Sequence, residues 1–157
     1  MKKLVLLIGA VLLVACGGDN KKKAAGETDE VKVENNYTIV FQGIYEKDDE
    51  VSVQYKANGY FDYEHPVTQK ITGQPMIQRV TVALPAGIAM ENFQFLVSTN
   101  KEQKFVDLRN VLILNNGKEL LNANTFDIAT YFDANAGIGF DDPSQRFTLD
   151  FSKQFPP

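Results

Sequence analysis

Tryptophan is missing from this 157-residue chain, and cysteine and histidine each occur once. A lone cysteine cannot close an intramolecular disulfide, and without a second thiol there is no paired-cysteine metal or redox site. His65 has no HExxH, GxSxG or similar frame around it, so neither a zinc-protease nor a hydrolase-elbow signature is present. A basic excess is missing too. From Tyr37 onward seven Lys and three Arg stand against fifteen Asp and Glu, a balance of −5. Nothing there can neutralise a run of phosphates, which excludes a nucleic-acid partner. No cofactor motif occurs, and none is called for.

What is present begins at the N-terminus. Met1-Lys2-Lys3 is followed by twelve uncharged residues, Leu4 to Ala15. That is the length of a signal-peptide apolar region and well short of the ~20 residues of a bilayer span. The segment ends Leu13-Val14-Ala15-Cys16-Gly17. Over the first eighteen residues the chain closely resembles bacterial lipoproteins, whose lipobox has this basic start, apolar length, small residue and cysteine. The resemblance implies a signal peptide over 1–15, cleavage before Cys16 by signal peptidase II, and fatty acylation of the Cys16 thiol. Buried acyl chains contribute about 0.8 kcal/mol per CH₂, and one chain alone anchors only marginally. The multiple acylation that the resemblance implies makes a lasting tether to the membrane, so Cys16 reads as an anchor and not as a nucleophile. Gly17 stands where, by the same resemblance, aspartate would signal inner-membrane retention, which favours the outer membrane of the cell envelope. The periplasmic and the external face both stay open.

Residues 16–36 carry the lipidation site and then GGDNKKKAAGETDEVKVENN, a polar stretch with no aromatic residue and only two valines. Such a segment buries too little surface to fold. Twenty flexible residues span about 25 Å, enough to hold a domain clear of lipid headgroups. All 17 aromatic residues fall after it, so residues 37–157 hold the material for a core.

In that region period-two alternation dominates. EVSVQYK sets Val51, Val53 and Tyr55 on one face; RVTVAL does so with Val80, Val82 and Leu84; RFTLDF with Phe147, Leu149 and Phe151. This pattern marks half-buried strands. Turn signals separate them at Asp48-Asp49, Asn58-Gly59, Thr72-Gly73-Gln74-Pro75, Pro85-Ala86-Gly87 and Asn115-Asn116-Gly117. Eight to ten short strands with no sustained helical period predict an all-β fold, an antiparallel sandwich or jelly roll. One hairpin can be put in register. A two-residue Asn58-Gly59 turn sets Tyr55 against Asp62 and mixes core with solvent. A three-residue loop from Ala57 to Gly59 instead pairs Tyr55 with Phe61 and Val53 with Tyr63, so the bulged form is expected. It puts His65 opposite Val51 with a partly buried ring.

The bulged register gathers Gln54, Lys56, Tyr60 and Asp62 on the polar face of the hairpin. A flat exposed ring flanked by an amide, an ammonium and a carboxylate is what a sugar requires, and Tyr131 and Asn135 could extend that surface. The plainer alternative is a solvated strand face with one surface tyrosine, and the lack of Trp counts on its side. DANAGIGFDD, Asp133 to Asp142, invites a calcium reading, but Ile138 occupies the invariant glycine position of an EF-hand loop and Ser144 replaces the bidentate acid. No metal site is assigned.

The layout of YEKDDEVSVQ, QPMIQRVTVALP, MENFQFLVSTNKEQKFVDLRNVLIL and YFDANAGIGFDD resembles small jelly-roll accessory domains of Bacteroidota polysaccharide enzymes and glycan-handling lipoproteins. The likeness rests on hydrophobic spacing over most of Tyr37 to Phe151. It implies a carbohydrate-binding-like sandwich and carries over no catalytic activity. Where those domains often show LR-D, this chain has Phe95-Leu96-Val97-Ser98. Three classes of function follow: a non-catalytic binding module for a glycan or small molecule, an assembly lipoprotein docking onto a larger envelope complex, and, third, a small hydrolase. The anchor is directly testable. Cys16→Ala should abolish incorporation of labelled fatty acid and move the protein out of the membrane fraction; equal labelling of both forms would contradict the lipoprotein reading.

Overall fold

The computed structural model describes residues Glu34–Pro157. The expected signal peptide, Cys16 and all of the linker before Glu34 lie outside the described residues. Strand structure begins at Tyr37, where the linker was expected to end.

Ten strands and one short helix follow: β1 (Tyr37–Tyr45), β2 (Asp49–Ala57), β3 (Tyr60–Phe61), β4 (Val67–Ile71), β5 (Gln74–Ala83), β6 (Asn92–Leu96), β7 (Phe105–Asn115), β8 (Lys118–Asn124), α1 (Ile128–Tyr131), β9 (Ile138–Asp141) and β10 (Arg146–Leu149). The described chain is mainly β, and every strand pair is antiparallel. A six-stranded sheet runs β5-β1-β7-β10-β9, and β8 shares the β10 edge of β7. The two fit on one edge because β10 pairs only with Phe105 and Val106, while β8 starts at Asn110. A four-stranded sheet is centred on β2, with β6 on one edge and β3 and β4 end to end on the other.

One core draws on both sheets. Ile39 and Phe41 of β1, Val80 and Val82 of β5, and Val106, Leu108 and Val111 of β7 join Val51 and Val53 of β2, Ile71 and Val97. The alternating residues therefore face inward as their spacing predicts, since successive strand side chains point to opposite faces. Tyr55, Phe147 and Phe151 pack against this core partly buried.

The hairpin register differs from expectation. Lys56 pairs with Phe61 and Ala57 with Tyr60, and Asp62 N donates to Tyr55 O at 3.1 Å. The loop is thus the two-residue Asn58-Gly59, with φ of 54° and 88°. Two left-handed residues form the turn whose twist matches that of the flanking strands, and asparagine and glycine are the residues that tolerate it. The objection to this register was that it would mix core and solvent residues. That penalty applies only to a strand that continues over the core, and β3 stops at Phe61. The partner of Val53 is Val67 of β4 instead of Tyr63, and that of Val51 is Gln69 instead of His65. His65 stands in the exposed bend between β3 and β4 with 78% of its side chain accessible, so its ring is not partly buried.

The two sheets are laced together at one end, where β1 passes to β2 and β6 passes to β7. Asp49 is buried, and its carboxylate accepts from Ser98 Oγ at 2.5 Å, Thr99 N at 2.9 Å and Asn100 N at 3.1 Å. Buried Gln103 accepts from Lys47 N at 3.0 Å and donates through Nε2 to Phe105 O. The Tyr45 hydroxyl donates to Val97 O at 3.0 Å. Burial, reinforced by the charge of Asp49, pushes the Tyr45 phenol well above its ordinary pKa and holds it as a neutral donor. Asp49→Ala would leave three backbone N–H groups, those of Glu50, Thr99 and Asn100, and the Ser98 hydroxyl without their acceptor, at a cost of about 2–3 kcal/mol. Urea denaturation should show that loss; an unchanged midpoint would mean the lacing is dispensable.

Candidate ligand-binding site

The four-stranded sheet ends at β6, whose far edge is unpaired. There the two sheets part around a cleft of about 460 Å³. Its walls are Phe93, Phe95 and Val97 from the β6 side, and Leu108, Val111 and Phe147 from β7 and β10. Ile128, Tyr131 and Phe132 close it from α1, and Ile138 and Phe140 from β9. Asn92 and Gln94 of β6, Phe61 of β3 and Asp133 also border it, with Ala129, Ala134 and Gly139 filling the gaps. The rings are fixed by one another: Phe93 meets Phe132 edge-on at 5.8 Å, and Phe140 packs on Phe147 at 5.1 Å. Strand alternation explains the mixture of side chains. In NFQFL the phenylalanines point between the sheets and the amides point away, yet at an edge strand both kinds can border one opening. An apolar chamber with a few polar groups at its border is the usual form of a small-ligand site.

The residues singled out from the sequence divide around this cleft. Gln54 pairs with Gln94, and Lys56 with both Asn92 and Phe61. Directly paired residues share a face, so these five side chains share one face of the small sheet. Lys56 Nζ lies 3.5 Å from Glu91. Tyr60 is 70% exposed, as expected, but it pairs with Ala57 and therefore belongs to the other face. The ring that accompanies Gln54 and Lys56 is Phe61, stacked on Tyr63 at 5.6 Å. Asp62 leaves the group as well. It accepts from Glu64 N at 3.1 Å and His65 N at 3.0 Å, and its carboxylate contacts the His65 ring at 3.1 Å. Desolvation would raise its pKa, but these His65 contacts outweigh it and hold the carboxyl below the usual value. Asp62 thus fastens a bend. Tyr131 lines the cleft and is 58% exposed. Asn135 is used within its own loop, where Oδ1 accepts from Gly137 N at 2.8 Å.

The stretch Asp133 to Asp142 runs from the cleft into β9. Asp133 borders the cleft, whereas Asp141 accepts from Ser144 N at 3.1 Å. Among the described residues, no three His, Cys, Asp or Glu side chains converge as metal ligands.

Phe61, Asn92, Phe93, Gln94 and Phe132 border the cleft without having been singled out as site residues from the sequence, and Asp133 was weighed there only as a calcium ligand. The alternation of NFQFL was a usable signal for two chemically distinct faces. That β6 would end a sheet was not written in it.

A second hollow, open and about 750 Å³, lies along β9, β10 and the C-terminal segment beside Lys101, Lys104 and Lys153. It is larger but shallow, and its cations are engaged. Lys153 sits 3.5 Å from Asp150, Lys104 Nζ donates to Lys101 O at 2.9 Å, and Lys101 lies over the Phe155 ring at 5.1 Å. The cleft is the better site because it offers an enclosing, mainly apolar wall of aromatic and aliphatic side chains.

The chain matches no protein-family model, no curated protein and no solved structure with which it was compared.

Proposed function

We propose that this protein is an envelope lipoprotein whose domain is a non-catalytic binding module, a β-sandwich of jelly-roll type, with carbohydrate as its ligand class. The tether is the acylated Cys16, and residues 17–36 form the spacer; the lipobox supports that part, with the outer membrane favoured. One observation carries the binding reading: rings and amides border the same opening. Phe61, Tyr131 and Phe132 supply flat apolar surfaces, while Asn92, Gln94 and Asp133 supply donors and acceptors beside them. A sugar ring has apolar C–H faces and a polar hydroxyl edge, and such a border answers both. The depth of the cleft, walled by Phe93 and Phe95, gives room for an apolar substituent on the sugar.

A second reading, docking onto a larger envelope complex, is supported by β5. This strand ends the large sheet and exposes Met76 at 66% and Ile77 at 53%. An unpaired strand edge with apolar side chains can accept a strand from a partner.

The soluble mature chain carrying Cys16→Ser, applied to a glycan array, separates the two. Binding to a defined glycan class is expected. The double variant Phe61→Ala/Tyr131→Ala, which removes two rings at the border, should weaken it by about tenfold or more. The chain should stay folded, with a modest fall in melting temperature from the lost Phe61–Tyr63 stack. Absence of binding to every glycan, or binding indifferent to both rings, would turn the assignment toward the docking reading.

A further inference from the structure

Three buried side-chain acceptors among the described residues have no hydrogen-bond partner: Asp107 Oδ1, Asn110 Oδ1 and Gln145 Oε1. An unmet acceptor of this kind costs about 1–3 kcal/mol, more when it is charged. Their positions are related. Asp107 and Asn110 flank the point on β7 where the register with β1 shifts, Asn110 pairing with Gln42 but Leu108 with Gly43. The extra residue is Arg109. On the other edge of β7, β10 pairs up to Val106 and β8 begins at Asn110, so a seam opens opposite the same bulge. Gln145 immediately precedes β10, the strand that pairs with β7 up to the seam.

The bulge also decides which face these groups occupy. Val106, Leu108 and Val111 point into the core. Asp107 and Asn110 therefore lie on the outer face of the large sheet, and the bulge turns Arg109 to the same side, where its Nη2 donates to Asp107 Oδ2 at 2.7 Å. The ladder extends this face into a row, because Arg79 pairs with Gln42, Gln42 with Asn110 and Asn110 with Asn124. The row spans roughly 14 Å, three interstrand steps of about 4.8 Å. Arg79 is exposed, and none of the ion pairs among the described residues includes it. Asn124 is occupied in holding the turn into α1, accepting from Phe126 N at 2.9 Å.

The chemistry of the missing partner follows from what surrounds the acceptors. They require hydrogen donors. A metal cation would have to enter beside the Arg109 guanidinium, and an anion would meet the Asp107 carboxylate. Hydroxyl groups meet neither objection. We propose that the outer face of the large sheet, from Arg79 through Gln42 to Asn110 and Asp107, is a binding site for a neutral hydroxyl-rich ligand, a polyol or saccharide. Its hydroxyls donate to Asn110 Oδ1 and Asp107 Oδ1 as Arg109, whose side chain is 45% exposed, swings aside. Arg79 and Gln42 donate to its oxygens. This site lies on the side of the large sheet away from the cleft and stands or falls without it.

Nuclear magnetic resonance of the ¹⁵N-labelled Cys16→Ser chain tests the site, with sorbitol, maltotriose, cellotriose and mannotriose as probes. At least one probe should shift the side-chain amide signals of Gln42 and Asn110 and the guanidinium signal of Arg109. Arg79→Ala, on an exposed side chain, should weaken that binding by about tenfold, the share of one charge-assisted hydrogen bond. Asp107→Asn, which retains the shape, should weaken it similarly, while Phe93→Ala in the cleft should leave it unchanged. The proposal is overturned if no probe moves these signals, if shifts occur only at cleft residues, or if calcium chloride alone reproduces them.

Discussion

The carboxylate of Asp49 is the constraint on which the relation between the two sheets depends. It stands at the first residue of β2 and gathers three donors from residues 98–100. Those residues lie on the connection from β6 to β7, and Asp49 itself lies just after the connection from β1 to β2. One buried charge therefore ties two of the crossings between the sheets at the same end. A buried carboxylate is tolerable only when its oxygens are hydrogen-bonded, and the donors here are mostly backbone groups that cannot turn away. Gln103 and Tyr45 repeat the device with neutral groups. With this end closed, the sheets are free to part at the other margin of β6, where the cleft opens.

The cleft is in this sense a consequence of topology. β2 has both edges covered, by β6 on one side and by β3 and β4 on the other, but β6 has only one neighbour. Its inward phenylalanines therefore face the core on one side and an opening on the other. α1, four residues long, brings Ile128 into the core and leaves Tyr131 at the opening. The large sheet is shaped by a different irregularity. A single extra residue in β7 places Asp107, Arg109 and Asn110 on one face, where regular alternation would have divided them.

Much of the fold was legible in the residues. Val51 and Val53, and Val80, Val82 and Leu84, are buried as their spacing required, and the turns at Asn58-Gly59 and Asn116-Gly117 fall where their dipeptides placed them. The register of the first hairpin was misread because face consistency was weighed above turn chemistry. The two left-handed residues decide the loop, and β3 ends before consistency matters. That error moved Tyr60 onto the wrong face and hid Phe61. Asp49 was read as a turn residue, since sequence does not show that a strand-end carboxylate has three long-range donors. The cleft was illegible for a related reason. Which strand ends a sheet is decided by pairing between residues about 40 apart, as in Tyr55 with Phe93.

The most direct measurement is of the cleft itself. Methyl resonances of Val97, Leu108, Ile128 and Ile138, which line it, can be followed in the Cys16→Ser chain while a series of p-nitrophenyl glycosides is added. Ile39 and Val82 in the closed core serve as internal controls. The account predicts that at least one glycoside shifts the four cleft methyls and leaves the two core methyls in place. If none of the series moves the cleft methyls, or if core and cleft respond alike, the cleft is not a ligand site and the account is wrong.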